Sequence, residues 1–125
     1  HLKSHAKVAW VNYAGLDEHP DHALAAKYLS GKASGILTFG VRSSDSADKR
    51  AAGARFLDAL GLFTRLVNIG DAKSLATHPA STTHRQLSPE ELDRAGVSED
   101  TVRLSVGIEH IDDLKADLDQ ALAKV

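Results

Sequence analysis

Thr101-Val102-Arg103-Leu104-Ser105-Val106 is the stretch on which the fold turns. Val102, Leu104 and Val106 alternate with Thr101, Arg103 and Ser105, the period of two that a half-buried β-strand imposes. A little further on the period changes. Ile111, Leu114, Leu118, Leu122 and Val125 are spaced by 3, 4, 4 and 3, the apolar stripe of a helix with about 3.6 residues per turn. Asp112 and Asp113 near the start of that helix and Lys124 near its end complement its dipole. A strand followed by a core-facing helix predicts an α/β layer structure.

The upstream sequence repeats that alternation. Val8 to Tyr13 is rich in β-branched and aromatic residues and ends before Gly15, which predicts a strand. His19-Pro20-Asp21-His22 reads as a helix start with proline at the first helical position. Leu24 and Tyr28 lie one turn apart, and Gly31 is the expected stop. Gly35 to Val41 is the next strand. Ser43-Ser44-Asp45-Ser46 offers N-caps for a helix with Ala47, Ala51, Ala54 and Leu57 on one face, closed by Gly61. Leu62 to Val67 reads as a short strand and Asn68-Ile69-Gly70-Asp71 as a turn. Ser88-Pro89-Glu90-Glu91 carries a capping box with proline at the first helical position. The predicted architecture is α/β, with helices covering at least one face of the sheet.

The chain has 125 residues, 42% of them hydrophobic. That suits one domain able to bury about two thirds of its unfolded surface. Fifteen basic against seventeen acidic residues leave a net charge of −2, which gives no reason to invoke nucleic acid or a membrane surface as partner. No apolar run approaches the ~20 residues needed to cross a bilayer. With no cysteine there is no disulfide framework, thiolate metal site or cysteine nucleophile, a composition compatible with a reducing cytoplasm. The chain has no methionine and begins His1-Leu2-Lys3. It is therefore expected to be a processed chain or a fragment of a longer one, with an active site that is incomplete on its own.

Common cofactor and nucleophile motifs are absent: no G-x-G-x-x-G, no phosphate loop and no G-x-S-x-G. His19 and His22, and His78 and His84, lack metal-ligand context, so no metal site is expected. A Ser81–His84–Asp71 triad can be drawn, but a segment this rich in such residues permits that drawing by composition alone. Asp71 to His84 is non-periodic, and its hydroxyl side chains and backbone N–H groups read either as a satisfied surface loop or as an anion-binding loop. Arg103 interrupts an otherwise apolar strand. It reads as an exposed sheet-face or ion-paired residue, or as a planar fork for a carboxylate or phosphate. Together the loop and the arginine suggest a site for a small anionic molecule.

Ala72-Lys-Ser-Leu-Ala-Thr-His-Pro-Ala-Ser-Thr-Thr-His84, then Glu90-Glu91, then Val102-Arg-Leu-Ser-Val-Gly-Ile-Glu109 resembles the C-terminal domain of the pyridoxal phosphate-dependent enzymes of Cys/Met metabolism, from about Val8 to Val125. Within that family, Leu66 to Leu75 and Ser81 to Leu87 look most like the O-acetylhomoserine sulfhydrylase branch. Cystathionine synthases and lyases usually carry Gly-Gly where Gly70-Asp71 stands. The resemblance implies that residues 1–125 are the small C-terminal domain of a fold-type-I, aspartate aminotransferase-like transferase, with a mainly antiparallel sheet and helices on one face. It further implies a cytoplasmic homotetramer whose large domain, preceding this one, carries the Schiff-base lysine and most of the cofactor site. No lysine here matches that motif, Lys73 included, so no catalytic residue is expected in this chain. Ser74 and Arg103 would bind the α-carboxylate of an amino-acid substrate. The implied reaction removes the α- and then a β-proton, expels acetate from the γ-carbon and adds sulfide to give homocysteine. Cystathionine γ-synthase or γ-lyase chemistry is the alternative within the family, and a stand-alone small-molecule binding domain is the alternative outside it.

Overall fold

The computed structural model describes residues 1–43 and 45–125. Five strands form one mixed, mostly antiparallel sheet: β1 (Val8–Asn12), β2 (Ile36–Val41), β3 (Thr64–Arg65), β4 (Leu75–Thr77) and β5 (Thr101–Ser105), in the order β1-β2-β5-β4-β3. Only β3 and β4 run parallel. The helices are α1 (His22–Tyr28), α2 (Lys49–Ala59), α3 (Pro89–Arg94) and α4 (Ile111–Leu122). Among the described residues no helix is long and apolar enough to cross a membrane.

The core lies between one face of the sheet and the pair α2 and α4. Phe39, Val41, Ala76, Val102 and Leu104 meet Ala52, Phe56 and Leu57 of α2 and Leu114, Leu118, Ala121 and Leu122 of α4. Phe39 and Phe56 pack edge to face, their ring centroids 5.5 Å apart, the arrangement that the ring quadrupoles favour. Asp117 joins α4 to the chain leaving α2. Its carboxylate accepts the backbone N–H groups of Gly61, Leu62 and Phe63 at 2.7, 2.9 and 3.0 Å. Burial pushes its pKa up, but those N–H groups outweigh burial and hold the carboxyl below its ordinary range.

The expected strands at 8–13, 35–41 and 101–106, the capping box at Ser88 and the terminal helix are all present. Several details differ. The strand expected over 62–67 shrinks to Thr64–Arg65. Strand β4 forms inside the segment that has no periodicity, because all three of its residues are buried and no alternation survives. In α2 the buried face is Ala52, Gly53, Phe56 and Leu57 rather than Ala47, Ala51, Ala54 and Leu57. The Phe56 ring, the largest apolar group there, sets the helix rotation by seating against Phe39. Asp45 caps the 3₁₀ turn Ser46–Asp48 that precedes α2, accepting from the Ala47 N–H at 2.9 Å, while the N-cap of α2 itself is Asp48, whose side chain makes no capping bond; Ser44 lies outside the described residues. Helix α1 starts at His22, after Pro20, and buries none of its residues. In α4, Ile111 is exposed, and Asp117 and Ala121 join the buried face.

Candidate functional site

The sheet face away from α2 and α4 carries a polar row. Strand registry pairs Thr77 with Arg103, Arg103 with Thr38, and Thr38 with Asn12, so four strands each place one polar residue in a line across the sheet. All four line a groove of about 680 Å³, walled by Trp10, Pro79, Thr83, His84, Val97, Ser98 and Thr101 among others. That volume lies in the range of small-molecule sites.

Arg103 is the cation in the row. Its Nη2 donates to the Val67 carbonyl and, at 3.5 Å, to the Asn68 carbonyl. None of the ion pairs among the described residues involves it. Its Nε–H is buried and has no hydrogen-bond partner. A buried unpaired donor costs about 1–3 kcal/mol, and an ordered guanidinium left with that donor open suits a planar acceptor. The arginine is thus held by main-chain oxygens and carries one unsatisfied donor.

The wall beyond Thr77 is fixed by His78. The ring is fully buried, with Nδ1 2.8 Å from the Ser81 hydroxyl and Nε2 2.8 Å from the Glu99 carbonyl. A carbonyl can only accept, so Nε2 bears the proton and Nδ1 accepts from Ser81. Burial pushes the His78 pKa down, outweighing the Glu99 carbonyl that favours the charged form. The Thr82 hydroxyl caps the His78 carbonyl at 2.8 Å. These contacts turn the Pro79–Ser81 3₁₀ turn so that Thr83 and His84 face the groove.

Ser74, paired with Arg103 as a carboxylate ligand in the sequence reading, stands elsewhere. It lies three residues before Thr77, the residue opposite Arg103, and is not among the residues lining the groove. It is fully buried, its hydroxyl donates to Glu109 Oε2 at 2.8 Å, and its oxygen accepts from the Gly107 N–H at 2.9 Å. Its one hydroxyl proton is therefore already used. The Ser74 N–H also donates to Glu109 Oε1 at 2.7 Å. Led by that backbone bond, these contacts hold the Glu109 carboxyl below its ordinary pKa.

The other drawn constellation does not assemble. Ser81 pairs with His78, His84 Nδ1 lies 2.8 Å from the Thr83 hydroxyl, and Asp71 accepts from the Lys73 N–H. His19 pairs with Asn12 and His22 with the Ala14 carbonyl. Among the described residues no three His, Cys, Asp or Glu side chains are grouped around a possible metal position. Sequence reasoning found Arg103 but missed Thr77, Thr38 and Asn12, whose alignment exists only once the register is set. Each sits at an outward position of its strand, the only signal available before folding.

The pattern of the Cys/Met metabolism PLP-dependent enzyme family matches residues 1–123, and the chain belongs to that family. It is 54% identical over 98% of its length to O-acetyl-L-homoserine sulfhydrylase 1 of Thermus thermophilus, of which it covers 28%. A crystal structure described as an O-acetylhomoserine (thiol)-lyase of Campylobacter jejuni, carrying a pyridoxyl-lysine phosphate, superposes with a TM-score of 0.83 at 45% identity, over 98% of this chain and 28% of that one. A cystathione gamma lyase from Micromonospora echinospora also reaches a TM-score of 0.83, at 40% identity over 98% of this chain and 30% of that one. The chain thus spans little more than a quarter of the relatives it matches.

Proposed function

We propose that residues 1–125 are the C-terminal small domain of a fold-type-I, pyridoxal phosphate-dependent O-acetylhomoserine sulfhydrylase. The reaction converts O-acetylhomoserine and sulfide to homocysteine and acetate, and this domain orients the substrate through its α-carboxylate. The observation that carries this reading is Arg103: ordered by two carbonyls, free of any ion pair and left with a buried, unpaired Nε–H in a groove of ligand size.

The groove fits the substrate end of such a site. Its lining offers the Arg103 guanidinium, hydroxyl groups, the His84 imidazole and the Asp93 carboxylate; that the amine holding the cofactor lies on polypeptide other than these residues is part of the same proposal. Bound pyridoxal phosphate supplies an electron sink for a substrate bond held perpendicular to its ring. The work of this chain is that geometry. A charge-assisted contact from the unpaired Arg103 Nε–H to a carboxylate restrains rotation about the substrate Cα–N bond and presents the Cα–H bond for removal. Thr38, beside the arginine in the row, lines the same groove, while the Thr77 hydroxyl donates to the Leu66 carbonyl.

The sulfhydrylase relatives, at 54% and 45% identity, favour this reading over the cystathionine alternative, whose structural neighbour is 40% identical. A homotetrameric, cytoplasmic enzyme is part of the same proposal, and size-exclusion chromatography with light scattering tests its assembly. Activity is tested by supplying the intact enzyme with O-acetylhomoserine plus sulfide, or with cystathionine. Homocysteine and acetate from the first pair support the proposal. Cleavage of cystathionine with no turnover of the first pair overturns it. A chain with no cofactor absorbance that borohydride shifts would instead be a stand-alone binding domain.

A further inference from the structure

We propose that Glu109 is a positioning residue for the substrate carboxylate, acting through Ser74 to fix the segment whose carbonyls aim Arg103; this rests on the reading of Arg103 as the carboxylate ligand. Parallel pairing of β3 and β4 forces the chain between them to double back, and that return segment supplies the Val67 and Asn68 carbonyls. Every residue from Thr64 to Lys73 is exposed. The segment buries no side chain of its own, so hydrogen bonds must set its position.

Those bonds lie at three places. At the upstream end the Thr77 hydroxyl donates to the Leu66 carbonyl at 3.1 Å. In the middle the Gly70 N–H donates to the Ser105 hydroxyl at 3.0 Å, with Gly70 at φ 76°, where a side chain would be strained. At the downstream end the Ala72 carbonyl accepts from the Ile108 N–H at 3.0 Å, and next to it both Glu109 oxygens grip Ser74. Gly107 makes this closure possible, since a Cβ there would stand 2.3 Å from the Ala72 oxygen. Glu109 is the one charged group in the closure, and it takes two of Ser74's polar hydrogens at once. Without it the return segment keeps its upstream anchor and loses its firmest downstream one.

The test is a double-mutant cycle in the intact enzyme with cofactor bound, measuring kcat and KM for each substrate. Glu109→Ala is expected to raise the KM for the amino-acid substrate about tenfold, with little change in kcat or in the KM for sulfide. Combined with Arg103→Ala it is expected to be no worse than Arg103→Ala alone, because both act on one contact. Glu109→Gln, which keeps an acceptor for the Ser74 N–H and a partner for its hydroxyl, is expected to stay close to wild type. If Glu109→Ala does not fold, Ser74→Ala carries the same expectation at smaller size. Wild-type kinetics for Glu109→Ala, losses that multiply in the double variant, or equal rises in both KM values overturn the proposal while leaving Arg103 in its role. Wild-type kinetics for Arg103→Ala removes the premise, and the proposal with it.

Discussion

Thr77 and Arg103 are direct cross-strand partners on β4 and β5, and the threonine hydroxyl is bonded to the Leu66 carbonyl, one residue before the Val67 carbonyl that holds the guanidinium. The strand pair and the return segment therefore fix the arginine from two sides. Arg103→Ala should lower kcat/KM for the amino-acid substrate in the intact enzyme by roughly tenfold to a hundredfold, the equivalent of a charge-assisted contact of about 1.5–3 kcal/mol. Arg103→Lys should recover little, because an ammonium cannot reproduce the fork. Steady-state kinetics near wild type for Arg103→Ala would remove it from the site.

His78 gives stability a pH dependence near neutrality. Burial lowers its folded pKa below the ordinary 6.5, so the unfolded chain binds the proton more readily than the folded one. Its stabilising contribution is complete above the unfolded pKa and is lost as pH falls through 6.5 toward the lower folded value. Thermal melts between pH 7.5 and about pH 5 should show falling stability. A His78→Gln variant, whatever its absolute stability, should show a flatter slope over that window. A wild-type melting temperature that does not change across the window would contradict a buried neutral ring.

Gly53 lies against that ring. A Cβ there would stand 2.2 Å from His78 Nε2, and the ring, bonded at both nitrogens, cannot turn aside. Replacing a mid-helix glycine by alanine ordinarily gains about 1 kcal/mol of helix propensity. Here overpacking of about 1–3 kcal/mol opposes it, and the loss of the Glu99 contact adds to the penalty. Gly53→Ala should therefore lower stability in chemical denaturation; a more stable variant would show that the ring moves freely.

Asp117 works at acid pH. Its folded pKa lies below the ordinary 3.8, so the carboxylate stabilises the fold above that value, and the contribution disappears as pH falls through the folded pKa. Asp117→Ala leaves the Gly61, Leu62 and Phe63 N–H groups without their acceptor, at about 1–3 kcal/mol. Denaturant titration at pH 7 should show the loss, and it should shrink at pH values below the folded pKa, where the wild type has lost the same charge.

The parts of the fold legible in the sequence are those whose signal is local. The alternation of 101–106, the stripe from Leu114 to Leu122 and the Ser88 capping box need no knowledge of distant residues. Strand β4 was hidden because burial on both faces leaves no period, and the rotation of α2 because it is set by Phe39, 17 residues away from Phe56 along the chain. At the site, Arg103 stood out as a charge in an apolar strand. Ser74 follows only from the family resemblance, and no feature of its neighbours in sequence reveals that Glu109 already holds its proton. The row from Asn12 to Thr77 could not be read at all, since its members belong to four strands whose register is a tertiary property.

The guanidinium of Arg103 is steadied by peptide oxygens, and such oxygens are the same whatever side chain a residue bears. A change of side chain at Val67, which lines the groove, can thus alter its rim while the carbonyl that holds the charge stays in place.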